Sequence, residues 1–133
     1  MAKVTGIGGF FFKSGDPQAI RRWYRDLMGI EVQPWGGAQF LFNRRDRPGI
    51  GYTVWSPFDE DTEYFKPSEK PYMLNLRVDN LEEMLAQLRR AGAQVLDRRE
   101  DGENGKFGYV LDPEGTLLEL WEQCDPDPNV PSE

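Results

Sequence analysis

Histidine is absent from this 133-residue chain. That excludes Ser-His and Cys-His nucleophile systems, along with every metal site that needs imidazole. Any chemistry must come from carboxylate, tyrosine, lysine, arginine, cysteine or backbone groups. Cysteine is nearly absent too: Cys124 stands alone, cannot close an internal disulfide, and suits a reducing cytoplasm. Positive charge is scarce, with 16 Lys+Arg against 23 Asp+Glu and a formal net charge of −7. No basic patch stands out, so nucleic acid is not an expected partner. No N-terminal run resembles a signal peptide and no segment is long enough to span a bilayer, so no membrane association is expected.

What is present is a pattern that occurs twice. "GIGGFFFKS" reads as a short aromatic strand, followed by "DPQAIRRWYRDLMG". There Asp16 is a natural N-cap, Pro17 suits the first helical position, Ile20, Trp23, Tyr24 and Leu27 recur at helical spacing, and Gly29 offers a stop. "IEVQPW", "AQFLFN" and "GYTVWS" follow as three strand candidates. The second half repeats the order. "YMLNLRV" alternates Leu74, Leu76 and Val78 with Met73, Asn75 and Arg77. "DNLEEMLAQLRRAG" is a helix with an Asn80–Glu83 capping box and apolar positions Leu81, Met84, Leu85 and Leu88. "AQVLDRRE", "KFGYVLD" and "LLELWE" supply three more strands. "TVW" at Thr53–Trp55 occupies the place that "ELW" at Glu119–Trp121 takes in the second half.

Each half therefore reads β-α-β-β-β, as modules of about residues 5–57 and 71–123 within a single domain over 1–125. Between them lies an acidic segment, 58–70, with two readings: an exposed linker, or a flap over a site anchored by Tyr64 and Phe65. The tail 126–133 holds a single aliphatic residue, Val130, too little to pack, and is expected to be disordered.

One residue is at odds with its strand. Glu119 shares a face with Leu117 and Trp121, where a carboxylate is costly to bury without a partner. It is either a rim position meeting water, or a ligand or general base inside a pocket.

The paired modules, "WYRDLMGIEV", "LRVDNLEEMLAQLRRAGAQV" and above all "GYVLDPEGTLLELWE" resemble the vicinal oxygen chelate superfamily, which includes glyoxalase I, bleomycin resistance proteins and extradiol dioxygenases. The resemblance implies an α+β fold in which the two modules form curled sheets around a cavity, helices on the outer face, and a homodimer. In metal-dependent members, ligands come from the first and last strand of each module. Those positions match Gly9, Thr53, Met73 and Glu119 here. A glycine and a thioether are poor donors for hard or borderline ions, and a carboxylate with a threonine hydroxyl falls short of a catalytic zinc site. No metal or other cofactor is expected.

Without a metal, Glu119 needs another environment. It either pairs with Arg77, or is walled off by Trp55 and Trp121 as a plausible base. Phe11, Trp55, Tyr109 and Trp121 are candidates to line a flat pocket, with Thr53, Met73, Asn75 and Arg77 beside them. Three readings stay open: a metal-independent isomerase or lyase using Glu119 as its catalytic base, a protein that binds or sequesters a small aromatic or cationic molecule, and an assembly module with a vestigial cavity.

Overall fold

A computed structural model describes residues 1–43 and 49–124; the tail expected to be disordered lies outside these residues. The elements are β1 (Val4–Ser14), α1 (Pro17–Met28), β2 (Ala38–Asn43), β3 (Ile50–Asp59), β4 (Tyr72–Val78), α2 (Leu81–Arg90), β5 (Gln94–Gly102), β6 (Gly105–Leu111) and β7 (Leu117–Gln123). All seven strands form one sheet in the order β2-β3-β1-β4-β7-β6-β5. The antiparallel β1–β4 pair is the seam, with Gly9 opposite Asn75. Parallel partners flank it, β3 beside β1 and β7 beside β4. The halves thus correspond as β1 to β4, β3 to β7 and β2 to β6.

β5 has no counterpart, because the strand expected at Ile30–Trp35 does not form. Pro34 carries no backbone N–H for a ladder. The segment instead turns tightly, with Gly36 N–H donating to the Gln33 carbonyl at 2.9 Å and Gln33 N–H to the Gly37 carbonyl at 2.8 Å. Gly36 has φ 101, which a side chain would strain.

Both helices begin as their sequences dictate. Asp16 accepts from Ala19 N–H and Asn80 from Glu83 N–H, satisfying donors that a helix N-terminus leaves open. Glu122 of β7 accepts from Leu81 N–H at 2.7 Å, tying α2 to the sheet. α2 buries Leu81, Met84 and Leu85 against Val78, Val110 and Leu120. α1 buries no residue fully.

The alternation of β4 holds: Leu76 and Val78 face α2, while Met73 belongs to a second apolar cluster on the opposite side with Phe65, Tyr109 and Leu117. Phe65 is fully buried. At that point, the stretch after β3 covers the sheet rather than lying out in solvent.

Candidate functional site

Register assembles the centre of the site. On β4, β6 and β7 the residues Asn75, Tyr109 and Glu119 stand side by side, since Asn75 and Tyr109 are the cross-strand partners of Glu119 on its two sides. Their side chains share one face at one level. Tyr64 reaches the same point from the turn after β3. Asn75 Nδ2 donates to Glu119 Oε1 at 2.7 Å, and the Tyr64 and Tyr109 hydroxyls each donate to Oε2 at 2.7 Å.

This answers how a carboxylate only 3 % exposed is tolerated. A hydrogen bond to a charged group contributes about 1.5–3 kcal/mol, and an unpaired buried carboxylate would not persist. Both phenols are held well above the usual tyrosine range, first by burial and then by the charge of Glu119. They therefore stay protonated and keep donating.

A carboxylate gives no hydrogen, so the Asn75 amide must turn its nitrogen toward Glu119. Its Oδ1 is left without a partner. That oxygen sits over Gly8, where a Cβ would overlap it and lie 2.9 Å from Trp121. Glycine at position 8 is thus a requirement of close approach.

Above this floor opens a cavity of about 370 Å³. Phe11, Trp35, Tyr52, Phe107 and Trp121 supply most of its apolar wall, with Val54, Gly8 and Gln39 beside them, and Glu100 and Asn104 at its polar edge. The Phe107 and Trp121 rings stack at 5.8 Å with only 8° between planes, and Tyr52 meets Trp121 edge-on at 5.0 Å. Asn104 fixes both outer rings, accepting from Trp121 Nε1 at 2.8 Å and from the Tyr52 hydroxyl at 3.1 Å.

Of the residues expected here, Phe11, Asn75, Glu119 and Trp121 line the cavity. Tyr109 stands behind Glu119 and is fully buried; Met73 lies in the apolar cluster beside Tyr109. Thr53 and Trp55 are corrected. Cavity-facing positions on β3 are Tyr52 and Val54, so their odd-numbered neighbours point the other way. Thr53 Oγ1 donates to the Ile7 carbonyl, and Trp55 packs on Tyr24 of α1 at 5.0 Å and on Phe12 at 5.6 Å.

The hydrogen bonds to Glu119 come from Asn75, Tyr64 and Tyr109, and Arg77 reaches other groups. It donates to the Tyr52 carbonyl at 2.9 Å and lies over the Phe42 ring at 4.5 Å. Of the two tryptophans expected around Glu119, Trp121 lines the cavity and Trp55 does not.

The lining residues that the sequence did not single out are Gly8, Trp35, Gln39, Tyr52, Val54, Glu100, Asn104 and Phe107. Phe107 was within reach by period two from Tyr109, and Glu100 by pairing, since it is the cross-strand partner of Phe107. Nothing local signals Trp35, which the turn at Pro34 delivers.

The positions matched to metal ligands also move. At the level of Glu119 the cavity-facing residues are Gly8, Val54 and Asn75. Among the described residues no three of His, Cys, Asp and Glu are grouped to hold a metal ion.

A curled sheet with helices on its outer face and a cavity at the meeting of two half-sheets defines the vicinal oxygen chelate fold. Within it, the glyoxalase-like domain family matches residues 9–121, and the chain belongs to that family. Similar solved structures include methylmalonyl-CoA epimerase from Mycobacterium tuberculosis, 21% identical with a TM-score of 0.57 over 91% of this chain and 89% of that one. The Streptomyces coelicolor methylmalonyl-CoA epimerase, determined with 2-nitronate-propionyl-CoA, is 21% identical with a TM-score of 0.62 over 92% and 99%. A glyoxalase/bleomycin resistance protein/dioxygenase superfamily member from Vibrio splendidus is 13% identical with a TM-score of 0.57 over 92% and 100%. At such identities the likeness supports the fold alone. No curated protein sequence gives a match.

Proposed function

We propose that this chain is a small-molecule-binding member of its family in which the superfamily's metal site has been replaced by a hydrogen-bonded carboxylate. The observation that supports this is the occupancy of Glu119. Three side-chain donors take its oxygens at 2.7 Å each, where a metal-binding carboxylate needs a lone pair directed at the ion. The residues at its level fit no better: Gly8 and Val54 offer no donor atom, and a side chain at position 8 would strike Asn75. The donor set does not suit a divalent metal.

The cavity's aromatic walls suit a ligand with a flat apolar body. The test is twofold. Elemental analysis of purified protein is expected to find no stoichiometric zinc, nickel, iron or manganese. A fluorescence screen of aromatic ligands is expected to perturb the tryptophans that line the cavity. One metal per chain, or no ligand response at all, would sink the reading.

A second reading, a metal-independent isomerase or lyase, draws support from Glu119 and Tyr64 both lying in the cavity lining. In that case Glu119→Gln would lower turnover by about two to four orders of magnitude with little change in affinity. The binding reading is preferred because a base would first have to exchange one of those three hydrogen bonds for its substrate. The proposal takes residues 1–125 as one domain and the chain as a cytoplasmic homodimer. Support for the dimer is the apolar exposure of Trp23, Leu27 and Met28 on α1 and of Phe40 and Leu41 on the edge strand β2.

A further inference from the structure

Four oxygen atoms meet at the inner end of the cavity: Glu119 Oε2, Glu100 Oε2 and the hydroxyls of Tyr64 and Tyr109. Five close contacts join them. Tyr64 and Tyr109 each lie 2.7 Å from Glu119, Tyr109 lies 3.0 Å and Tyr64 3.4 Å from Glu100, and the two hydroxyls are 3.2 Å apart. Two phenols bring two hydrogens, and ionised carboxylates bring none. With both hydrogens committed to Glu119, the Tyr109–Glu100 contact at 3.0 Å sets lone pair against lone pair, while the contacts at 3.2 and 3.4 Å lie at van der Waals separation.

A separate observation points the same way. Asn75, 2 % exposed and in the cavity lining, has given its amide hydrogens' side to Glu119 and keeps Oδ1 unpartnered. The inner end of the cavity is rich in acceptors and short of hydrogen.

The nearby cations do not make up the deficit from within the cavity. Arg98 lies over the outer faces of the Tyr64 and Tyr109 rings at 4.3 and 4.1 Å, donates to the Tyr64 carbonyl at 2.9 Å and reaches Glu100 Oε1 at 3.4 Å. Arg77 is engaged with the Tyr52 carbonyl and the Phe42 ring. Neither lines the cavity, and no lysine among the described residues does.

From this geometry, and resting on the small-molecule reading above, we infer that the ligand is an organic cation. Its protonated amine donates to Glu100, and its flat apolar body lies among Phe11, Phe107 and Trp121. An ammonium brings hydrogen and positive charge and accepts nothing, which is what this acceptor-rich end lacks. Glu100 is then the residue that selects for charge. Anionic ligands such as coenzyme A thioesters, whose phosphates call for cations, meet no lysine or arginine in this cavity lining.

Calorimetric titration of the full chain at neutral pH and low salt tests this with three probes of one shape: 2-phenylethylammonium, 2-phenylethanol and phenylacetate. The ammonium is expected to bind about tenfold or more tighter than the alcohol, with phenylacetate weakest. Glu100→Gln, at a side chain 48 % exposed and so safe for folding, is expected to reduce the preference for the ammonium over the alcohol about three- to tenfold. Phenylacetate binding as tightly as the ammonium overturns the inference. Equal binding of alcohol and ammonium also overturns it, while the small-molecule reading stands. An ammonium preference that Glu100→Gln does not touch removes the amine from Glu100. No binding by any probe up to about 10 mM fails both readings together.

Discussion

The two halves of the sheet share a strand order about the β1–β4 seam, yet they do different work. The second half contributes the polar centre: Asn75, Glu100, Tyr109 and Glu119. The first half contributes surface, with Gly8, Phe11, Tyr52 and Val54 forming the facing wall. Their helices differ in the same sense. α2 buries three residues and is tied to β7 through Glu122, whereas α1 buries none and leaves Leu27 and Met28 about two-thirds exposed. A repeated backbone does not imply repeated energetics: the half with the better-packed helix also holds the polar centre, consistent with a site needing well-packed elements beneath it.

The largest expected effect tests that asymmetry directly. Leu85 is 2 % exposed in the α2 cluster and touches the space over Gly108. Leu85→Ala should cost about 2–5 kcal/mol of stability in chemical denaturation, while Ile20→Ala, half-buried on α1, should cost less than about 1.5 kcal/mol. Equal costs would break the comparison.

Next in size is the site itself. Tyr109→Phe removes one of three donors to a buried carboxylate and should destabilise by about 1–3 kcal/mol. Gly8→Ala should act through the same network, because its new Cβ overlaps Asn75 Oδ1. Asn75→Ala in the Gly8→Ala background should recover part of the Gly8→Ala loss, since the two effects are coupled. Strict additivity of the two would show that Gly8 is not there for Asn75.

The buried phenols also set an alkaline limit. Tyr109 is held above its ordinary value of 10.0 by burial and the Glu119 charge. A raised folded value means the unfolded chain releases its proton first. Stability is therefore fully present below about pH 10 and declines above it, by about 1.4 kcal/mol per pH unit for this residue. Tyrosinate absorbance should lag for Tyr64 and Tyr109 until the protein unfolds. The Tyr109→Phe variant should show a shallower alkaline decline; an identical slope would count against this origin.

How far the sequence revealed this arrangement depends on how local each signal was. Helix starts at Asp16 and Asn80 and the alternation of β4 were legible, since caps and period two need only near neighbours. The family likeness rested on longer motifs, above all "GYVLDPEGTLLELWE", and of the residues singled out Phe11, Asn75, Glu119 and Trp121 line the cavity. Thr53 and Trp55 misled because "TVW" looks like "ELW". The tryptophan of the first half turns to α1, where Tyr24 receives it, and the tryptophan of the second half turns to Phe107 and the cavity. Strand sequence alone does not say which face a helix will cover. Tyr64 meets Glu119 across 55 residues, a contact only the folded chain creates, although its anchoring role was one of two readings open for 58–70.

The smallest expected effect is the most useful for the first half. Leu27 is 66% exposed on α1, so in an isolated chain Leu27→Ser removes little buried surface and should change stability by within about 0.5 kcal/mol. In a homodimer that covers this face, the same substitution would expose an interface, and its cost would depend on protein concentration, because association stabilises the folded chain by mass action. Thermal melts of the parent and variant at two concentrations a hundredfold apart separate these cases, with light scattering to read the mass. A concentration-dependent loss, together with a shift from dimer to monomer, would place the partner on α1 and explain why that helix keeps an apolar face it does not bury. A small, concentration-independent change in a dimer would move the interface to the β2 edge, where Phe40 and Leu41 are also exposed. In a monomer it would leave α1 as the weakly packed side of the fold, and the dimer reading would fall.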